Sequence, residues 1–256
     1  VKTKQKDRCS KVNYNTVFVN LLPLTFISFV NEISMLDIIK YDVYRGPNIG
    51  VYTKVNDSFV FLPNGFAKTK TENLAEYLKT DFIFTSIANT RLIGILMVAN
   101  NNGILLPNIS FEHELEHLKK STNLNVEVLD TKFTALGNLI CANDKGCIVS
   151  PMIPKENLKK IQDVLGVEVI QKKVAGYHQV GAMIVATSHG GIIHPETDDE
   201  DIKTISSVLG VNVEPATING GIPFVSSGIL ANNKSIVVGT LTNGPEIMML
   251  TRAFTN

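Results

Sequence analysis

The sequence predicts an α/β fold of five ββαβ units, set about a pseudo-fivefold axis as a propeller and closed into a ring. Three observations carry that prediction. A glycine opens an apolar run at Gly50, Gly94, Gly137 and Gly181, at intervals of 44, 43 and 44 residues. A second glycine follows nine residues after the last three, at Gly103, Gly146 and Gly190. Between them stands a similar phrase each time: Val98-Ala99-Asn100, Cys141-Ala142-Asn143 and Val185-Ala186-Thr187. A fifth copy appears at Leu230-Ala231-Asn232, with Ser226 and Ser235 in the glycine positions. A fixed period of this length marks a repeat architecture.

The units are expected at about 49–89, 90–133, 134–177, 178–221 and 222–254, within a single domain over 35–256. In the second, Gly94–Ala99 reads as a strand, Asn100–Gly103 as a turn, and Ile104–Leu106 as a returning strand stopped by Pro107, a β-hairpin. A helix is then predicted from Phe111 to Lys120 and a strand over Val126–Leu129. The third unit repeats the order with a helix over Lys155–Leu165, capped by Gly166, and a strand over Val167–Ile170. In the fourth, Thr197 and Glu200 read as a capping box, and Gly210 ends the helix. In the fifth, Pro245 suits the first turn of a terminal helix reaching Phe254. The third strand missing there is expected from the chain's beginning, around Ile38–Val43. One unit has too little apolar surface to fold alone, so neighbours must share a core. All-helical solenoids of this period are excluded by the hairpins. A four-stranded propeller blade with a Trp-Asp motif is excluded because the chain has no tryptophan.

Composition is that of an ordinary globular protein, 44% hydrophobic and 19% charged. Three cysteines without framework spacing point to a reducing compartment, here the cytoplasm. Residues 1–34 stand outside the repeat. They hold five basic residues (Lys2, Lys4, Lys6, Arg8, Lys11) against Asp7 and Glu32, which leaves the remainder 19 basic and 22 acidic. A mildly acidic body is a poor binder of phosphate backbones and suits a basic protein surface. The apolar run Val17–Val30 is too short for a membrane anchor, and no small-x-small cleavage site follows it. Residues 1–34 are therefore expected to be a non-core extension, disordered or non-native, with Met35 as the natural start.

Several phrases together resemble a known family. Thr90-Arg91-Leu92-Ile93-Gly94, Thr134-Ala135-Leu136-Gly137-Asn138, the Asn143-Asp144 turn, Asp163 to Val169, Gly190-Gly191-Ile192-Ile193-His194-Pro195 and Gly244-Pro245-Glu246 look like the archaeal form of translation initiation factor six, the ribosome anti-association factor. The likeness runs in order from about Tyr41 to Phe254. It implies the pentein fold, in agreement with the five-unit ring, and a non-catalytic role in protein biosynthesis and ribosome biogenesis. Members bind the joining face of the large ribosomal subunit and sterically keep the small subunit off. The implied partner is chiefly a ribosomal protein near the sarcin–ricin loop, with little direct rRNA contact, and a release factor with a GTPase partner removes the factor later. A monomer is expected, with no cofactor and no membrane. The eukaryotic members carry a C-terminal tail, and regulation through it is not implied here.

Two motifs point elsewhere. His113-Glu114-Leu115-Glu116-His117 is a literal H-E-x-x-H zinc motif. Within the repeat, however, Leu115 aligns with the core positions Leu158 and Ile202, which turns both histidines toward solvent, so no metal or catalytic residue is assigned. The pentein fold also hosts guanidine-modifying hydrolases and amidinotransferases with a nucleophilic cysteine, and that is the alternative function. Cys141 and Cys147 align with apolar residues of other units and read as core; His194, before Pro195, reads as structural.

The entry loops of the five units fall on one side and form a platform for binding. Arg91, Thr134 and His178 align with one another there. Asn138 departs from its repeat, whose other members are Val51, Ile95, Ala182 and Ser227. A carboxamide at such a position satisfies a buried backbone group or serves a partner. Arg91 and Asn138 are the expected ribosome anchors, with Thr134 and His178 at the margin.

Overall fold

Each repeat folds into a three-stranded sheet with a helix crossing between its second and third strands. The structure, a computed structural model, describes residues 38–255, so the expected extension at 1–34 lies outside the described residues. In the first unit β2 (Lys54–Val55) pairs antiparallel with β3 (Phe59–Pro63), and β3 pairs parallel with β4 (Asp81–Thr85). The same mixed order recurs in β5–β7 (98–129), β8–β10 (140–171) and β11–β13 (184–215). The fifth sheet holds β14 (Ile229–Ala231) and β15 (Ile236–Gly239), and its third strand is β1 (Ile38–Tyr41) from the chain's beginning. The two end strands run parallel, in register from Ile38–Ile236 to Tyr41–Gly239.

The expected first strand is only partly a strand. One turn of helix precedes it in four units: α1 (Ile49–Tyr52), α3 (Ile93–Leu96), α5 (Leu136–Leu139) and α7 (Val180–Met183). A 3-10 turn, Val225–Gly228, stands in their place in the fifth. Four apolar residues fit a buried helical turn and a buried strand equally well, so periodicity does not separate them. The opening glycines are accordingly not hairpin residues. A Cβ on Gly94 would lie 1.8 Å from the carbonyl oxygen of Gly50, and one on Gly50 would lie 1.9 Å from that of Ser226. The short turns pack backbone to backbone, which only glycine permits.

The long helices are α2 (Lys68–Leu78), α4 (Glu112–Ser121), α6 (Leu158–Leu165), α8 (Asp199–Leu209) and α9 (Gly244–Thr255). Gly166 and Gly210 close theirs with φ of +66° and +61°, as expected of C-terminal caps. The cap of α8 differs: Asp198 Oδ1 accepts from the Asp201 amide, while the Thr197 hydroxyl donates to the His194 carbonyl.

Every buried apolar cluster straddles two units. Val98 and Leu105 pack with Ile161 and Leu165, Phe61 with Leu106 and Leu118, and Ile148 with Ile205 and Leu209. Ile192 packs with Leu250 and Phe254, and Leu230 and Val237 of the fifth unit pack with Leu74 and Leu78 of the first. No helix among the described residues is long and apolar enough to cross a membrane.

Candidate functional site

The first strand of each unit has a short turn at one end and a hairpin at the other. Side by side, the five strands therefore collect entry loops at one end of the molecule and hairpins at the opposite end. At the hairpin end polar groups are used internally. The Asn100 carbonyl oxygen (Oδ1) accepts from the Asn102 and Gly103 amides at 3.0 and 2.9 Å, closing its own turn. Its Nδ2 donates to the Asn143 carbonyl at 3.1 Å and to Leu165 O, at the end of the next unit's helix, at 2.8 Å. Asn143 repeats this toward Thr187 and Leu209, and Asn232 toward Asn56 and Leu78. The residues that follow these positions form a second circuit. Asn101 Nδ2 donates to Asp57 and Asp144, the Ser188 hydroxyl donates to Asp144, and Asn233 Nδ2 donates to Asp57.

At the entry end the linkers are tight turns in strained backbone. Tyr44, Arg45, Ala88, Asn89, Ala175 and Asn219 all have φ between +49° and +61°. Each linker is held from the start of the following long helix, by its third residue in four units and by the residue just before it in the third unit. Glu114 accepts from the Ser86 hydroxyl and the Ala88, Asn89 and Phe111 amides, all within 3.0 Å. Glu246 accepts from Thr217, Gly220, Gly221 and Asn243 in the same way. The equivalent positions hold Lys70 on Asp42, Asn157 on the Asp130 carbonyl and Asp201 on Lys172. Burial raises the Glu114 carboxyl, but the Asn89 and Phe111 amides, the Ser86 hydroxyl and the Ala88 amide outweigh it and bring the pKa below the ordinary carboxylate value. In Glu246 burial is likewise outweighed by the amides of Asn243, Gly220 and Gly221 and by the Thr217 hydroxyl. The acid of the H-E-x-x-H motif is thus a structural clasp. Its histidines are exposed: His113 stacks on Phe111, and His117 Nε2 hydrogen-bonds the Phe84 carbonyl.

The four sequence-predicted residues sit at this entry end, and no hydrogen bond joins them to one another. Arg91 is exposed and places its guanidinium over the Tyr44 ring, 5.3 Å from the centroid. Thr134 lies two residues before the α5 turn and Asn138 within it, and the Thr134 carbonyl accepts from the Leu136 amide. The half-buried Asn138 side chain has no hydrogen-bond partner among the described residues, so it is not satisfying a backbone group. Nδ1 of His178 is likewise buried and unpaired. Sequence reasoning missed the aromatic residues around them. Tyr44, Tyr177 and Phe224 are each about 40% exposed, and Tyr177 and Phe224 lie 6.3 Å apart with His194 against both. Large aromatics at turn and turn-flanking positions were the available signal. Burial lowers the pKa of His194, only partly offset by Glu196, and its Nδ1 accepts from the Glu196 amide.

The described cysteines are unsuited to nucleophilic attack. Burial pushes the Cys141 thiol up to about 12 and Cys147 well above its ordinary value. A reactive cysteine needs the opposite shift.

The chain resembles known proteins over nearly all of its described residues. The model of the eIF-6 family matches residues 38–253. Translation initiation factor 6 of Nitrosopumilus maritimus is 69% identical over 221 residues, covering 86% of this chain and all of that one. The factor of Cenarchaeum symbiosum is 68% identical, with 86% and 99% covered, and that of Pyrococcus furiosus 47%, with 84% and 96%. Two solved structures are similar at a lower level. Pseudomonas aeruginosa DDAH, solved as a mutant complexed with citrulline, has 12% identity and a TM-score of 0.42, with 66% of this chain and 68% of that one covered. The agmatine deiminase of C. jejuni has 13% identity and a TM-score of 0.37, with 61% and 59% covered. The fold is an α/β assembly of five three-stranded units, and on the match over 38–253 the chain belongs to the eIF-6 family of translation initiation factors.

Proposed function

We propose that the chain is a non-catalytic factor that binds the joining face of the large ribosomal subunit and excludes the small subunit sterically. Residues 35–256 act as one domain, a cytoplasmic monomer without a cofactor, in five repeats at about 49–89, 90–133, 134–177, 178–221 and 222–254. The observation that carries the reading is the unpaired Asn138 carboxamide at the entry end of an eIF-6 family member. Five loops on one end, two of them clasped by the buried carboxylates Glu114 and Glu246, make a nearly rigid platform, the kind of surface where binding residues collect. Arg91 and Asn138 anchor the contact, and Thr134 and His178 lie at its margin. The acidic first turns Glu112, Glu156 and Asp198–Asp201 support a basic protein, one near the sarcin–ricin loop, over rRNA as the main contact. Release then falls to a separate factor with a GTPase partner.

Co-sedimentation with purified large subunits tests this. The protein is expected to pellet with them at nanomolar affinity, about −12 kcal/mol, and to prevent joining of added small subunits. Binding without any block of joining, or turnover of arginine derivatives, would overturn it. Little loss of affinity between about 50 and 200 mM salt is expected; a steep loss would assign the contact to RNA phosphates.

A further inference from the structure

All five units line one small cavity of about 70 Å³ where their first strands meet. At its outer end stand the glycines of the short turns and Ser226. At its inner end it shares Val55, Ala99, Ala142, Ala186 and Ala231 with a second cavity lined by the asparagine circuit. The lining mixes exposed polar groups with apolar side chains, Ile140, Ile184, Val185 and Leu230 among them. One position breaks the pattern. Lys54 occupies the place that Val98, Cys141, Val185 and Leu230 hold in the other units, so the repeat itself dictates an apolar residue there.

Lys54 lines the cavity and makes no hydrogen bond or ion pair with any described residue. No carboxylate is among the lining residues, and the neighbouring Cys141 thiol is held neutral. Burial draws the Lys54 ammonium below the usual lysine range, against a smaller opposing effect of Cys141. A second departure from the repeat lies in the same wall. Ser226 stands where the other units have glycine, and its hydroxyl also has no partner among the described residues. Lys54 is half-buried, and a lysine drawn out of bulk water in this way is usually paired with an acidic group.

We propose that this cavity binds a small monocarboxylate with a short aliphatic body, its carboxylate on Lys54 and its chain against the isoleucine, valine and leucine wall. The amine selects an anion. The scarcity of further donors disfavours a multiply charged one, which would leave oxygens unsatisfied.

Calorimetric titration of the folded protein with sodium butyrate tests the site, with n-butylamine and inorganic phosphate as matched probes. Saturable one-site binding of butyrate is expected, at least tenfold weaker in Lys54→Met, with no saturable binding of n-butylamine. Equal affinity in parent and Lys54→Met, absence of saturable butyrate binding, or phosphate binding as tightly as butyrate would each overturn the proposal. A measurement on the parent alone guards against a misfolded variant: butyrate should protect Lys54 from reductive methylation, read by mass spectrometry of the peptide containing it. Unchanged labelling of Lys54 at saturating butyrate would contradict the site. Neither readout depends on ribosome binding.

Discussion

The hairpin end and the entry end are built from the same five strands, yet they treat their polar groups in opposite ways. At the hairpin end Asn100 makes four hydrogen bonds, two within its own turn and two to the next unit. At the entry end the polar anchoring is done by residues set back on the helices, Glu114 and Glu246 above all, while Asn138 and His178 Nδ1 stay unpaired. One end uses its side chains to bind units together; the other holds its loops from behind and leaves the half-buried Asn138 carboxamide without a partner among the described residues.

The largest effect expected from breaking this arrangement lies between the two ends, at the packed turns. Gly94→Ala puts a Cβ 1.8 Å from a backbone oxygen that no rotamer change can move. It should cost more than about 3 kcal/mol, with loss of the cooperative melt or a fall in Tm of about 6 °C or more. A Tm unchanged by this substitution would contradict the backbone-to-backbone packing.

At the hairpin end, Asn100→Ala leaves two carbonyls and two amides without their partner, and should cost on the order of 3 kcal/mol. Denaturant melts read the loss directly. The Ser188 position sharpens the comparison: its hydroxyl reaches Asp144 at 3.3 Å, and its amide is held by Asn233 independently of the side chain. Ser188→Ala should therefore cost less than about 1 kcal/mol.

How far all this could be read from the sequence depends on the range of the interaction. The period, the long helices and the borrowed strand β1 were legible because each unit repeats its own turn and cap chemistry. The helical turns at Gly50, Gly94, Gly137 and Gly181 were not, because the reason for them is the backbone of another unit. Asn100 and Asn143 were visible as a recurring phrase, but their bonds to the neighbouring helix end cross 65 and 66 residues. Glu114 was hidden within a zinc-like motif, where alignment of Leu115 set the helix face correctly without revealing what the acid holds. At the site, Asn138 stood out by departing from its repeat, whereas Tyr44, Tyr177 and Phe224 did not, since exposure of an aromatic is a tertiary property.

At the entry end the carboxylate clasps make stability depend on pH. The folded pKa of Glu114 lies below its unfolded value near about 4.3, so its contribution is present above that value and is lost as pH falls toward the folded pKa. Thermal melts of the parent should drop between about pH 5 and 3. Glu114→Gln should start lower at neutral pH, by about 1–3 kcal/mol, and show a shallower drop. Parallel pH profiles for the two proteins would refute the clasp.

The smallest effect on stability, and the largest on function, is expected at Asn138. Because its carboxamide has no internal partner, Asn138→Ser should leave Tm within about 2 °C of the parent while weakening large-subunit binding by about 1–3 kcal/mol, roughly five- to 150-fold. Lys145→Ala at the hairpin end, where the amine is already bound to the Ser188 and Gly210 carbonyls, supplies the matched control. The direct measurement is the affinity of these two folded variants for purified large subunits, determined by quantitative sedimentation beside the parent. A selective loss in Asn138→Ser, with Lys145→Ala at parental affinity, is the predicted result. Asn138→Ser within twofold of the parent, or an equal loss in both variants, would contradict the assignment of binding to the entry end.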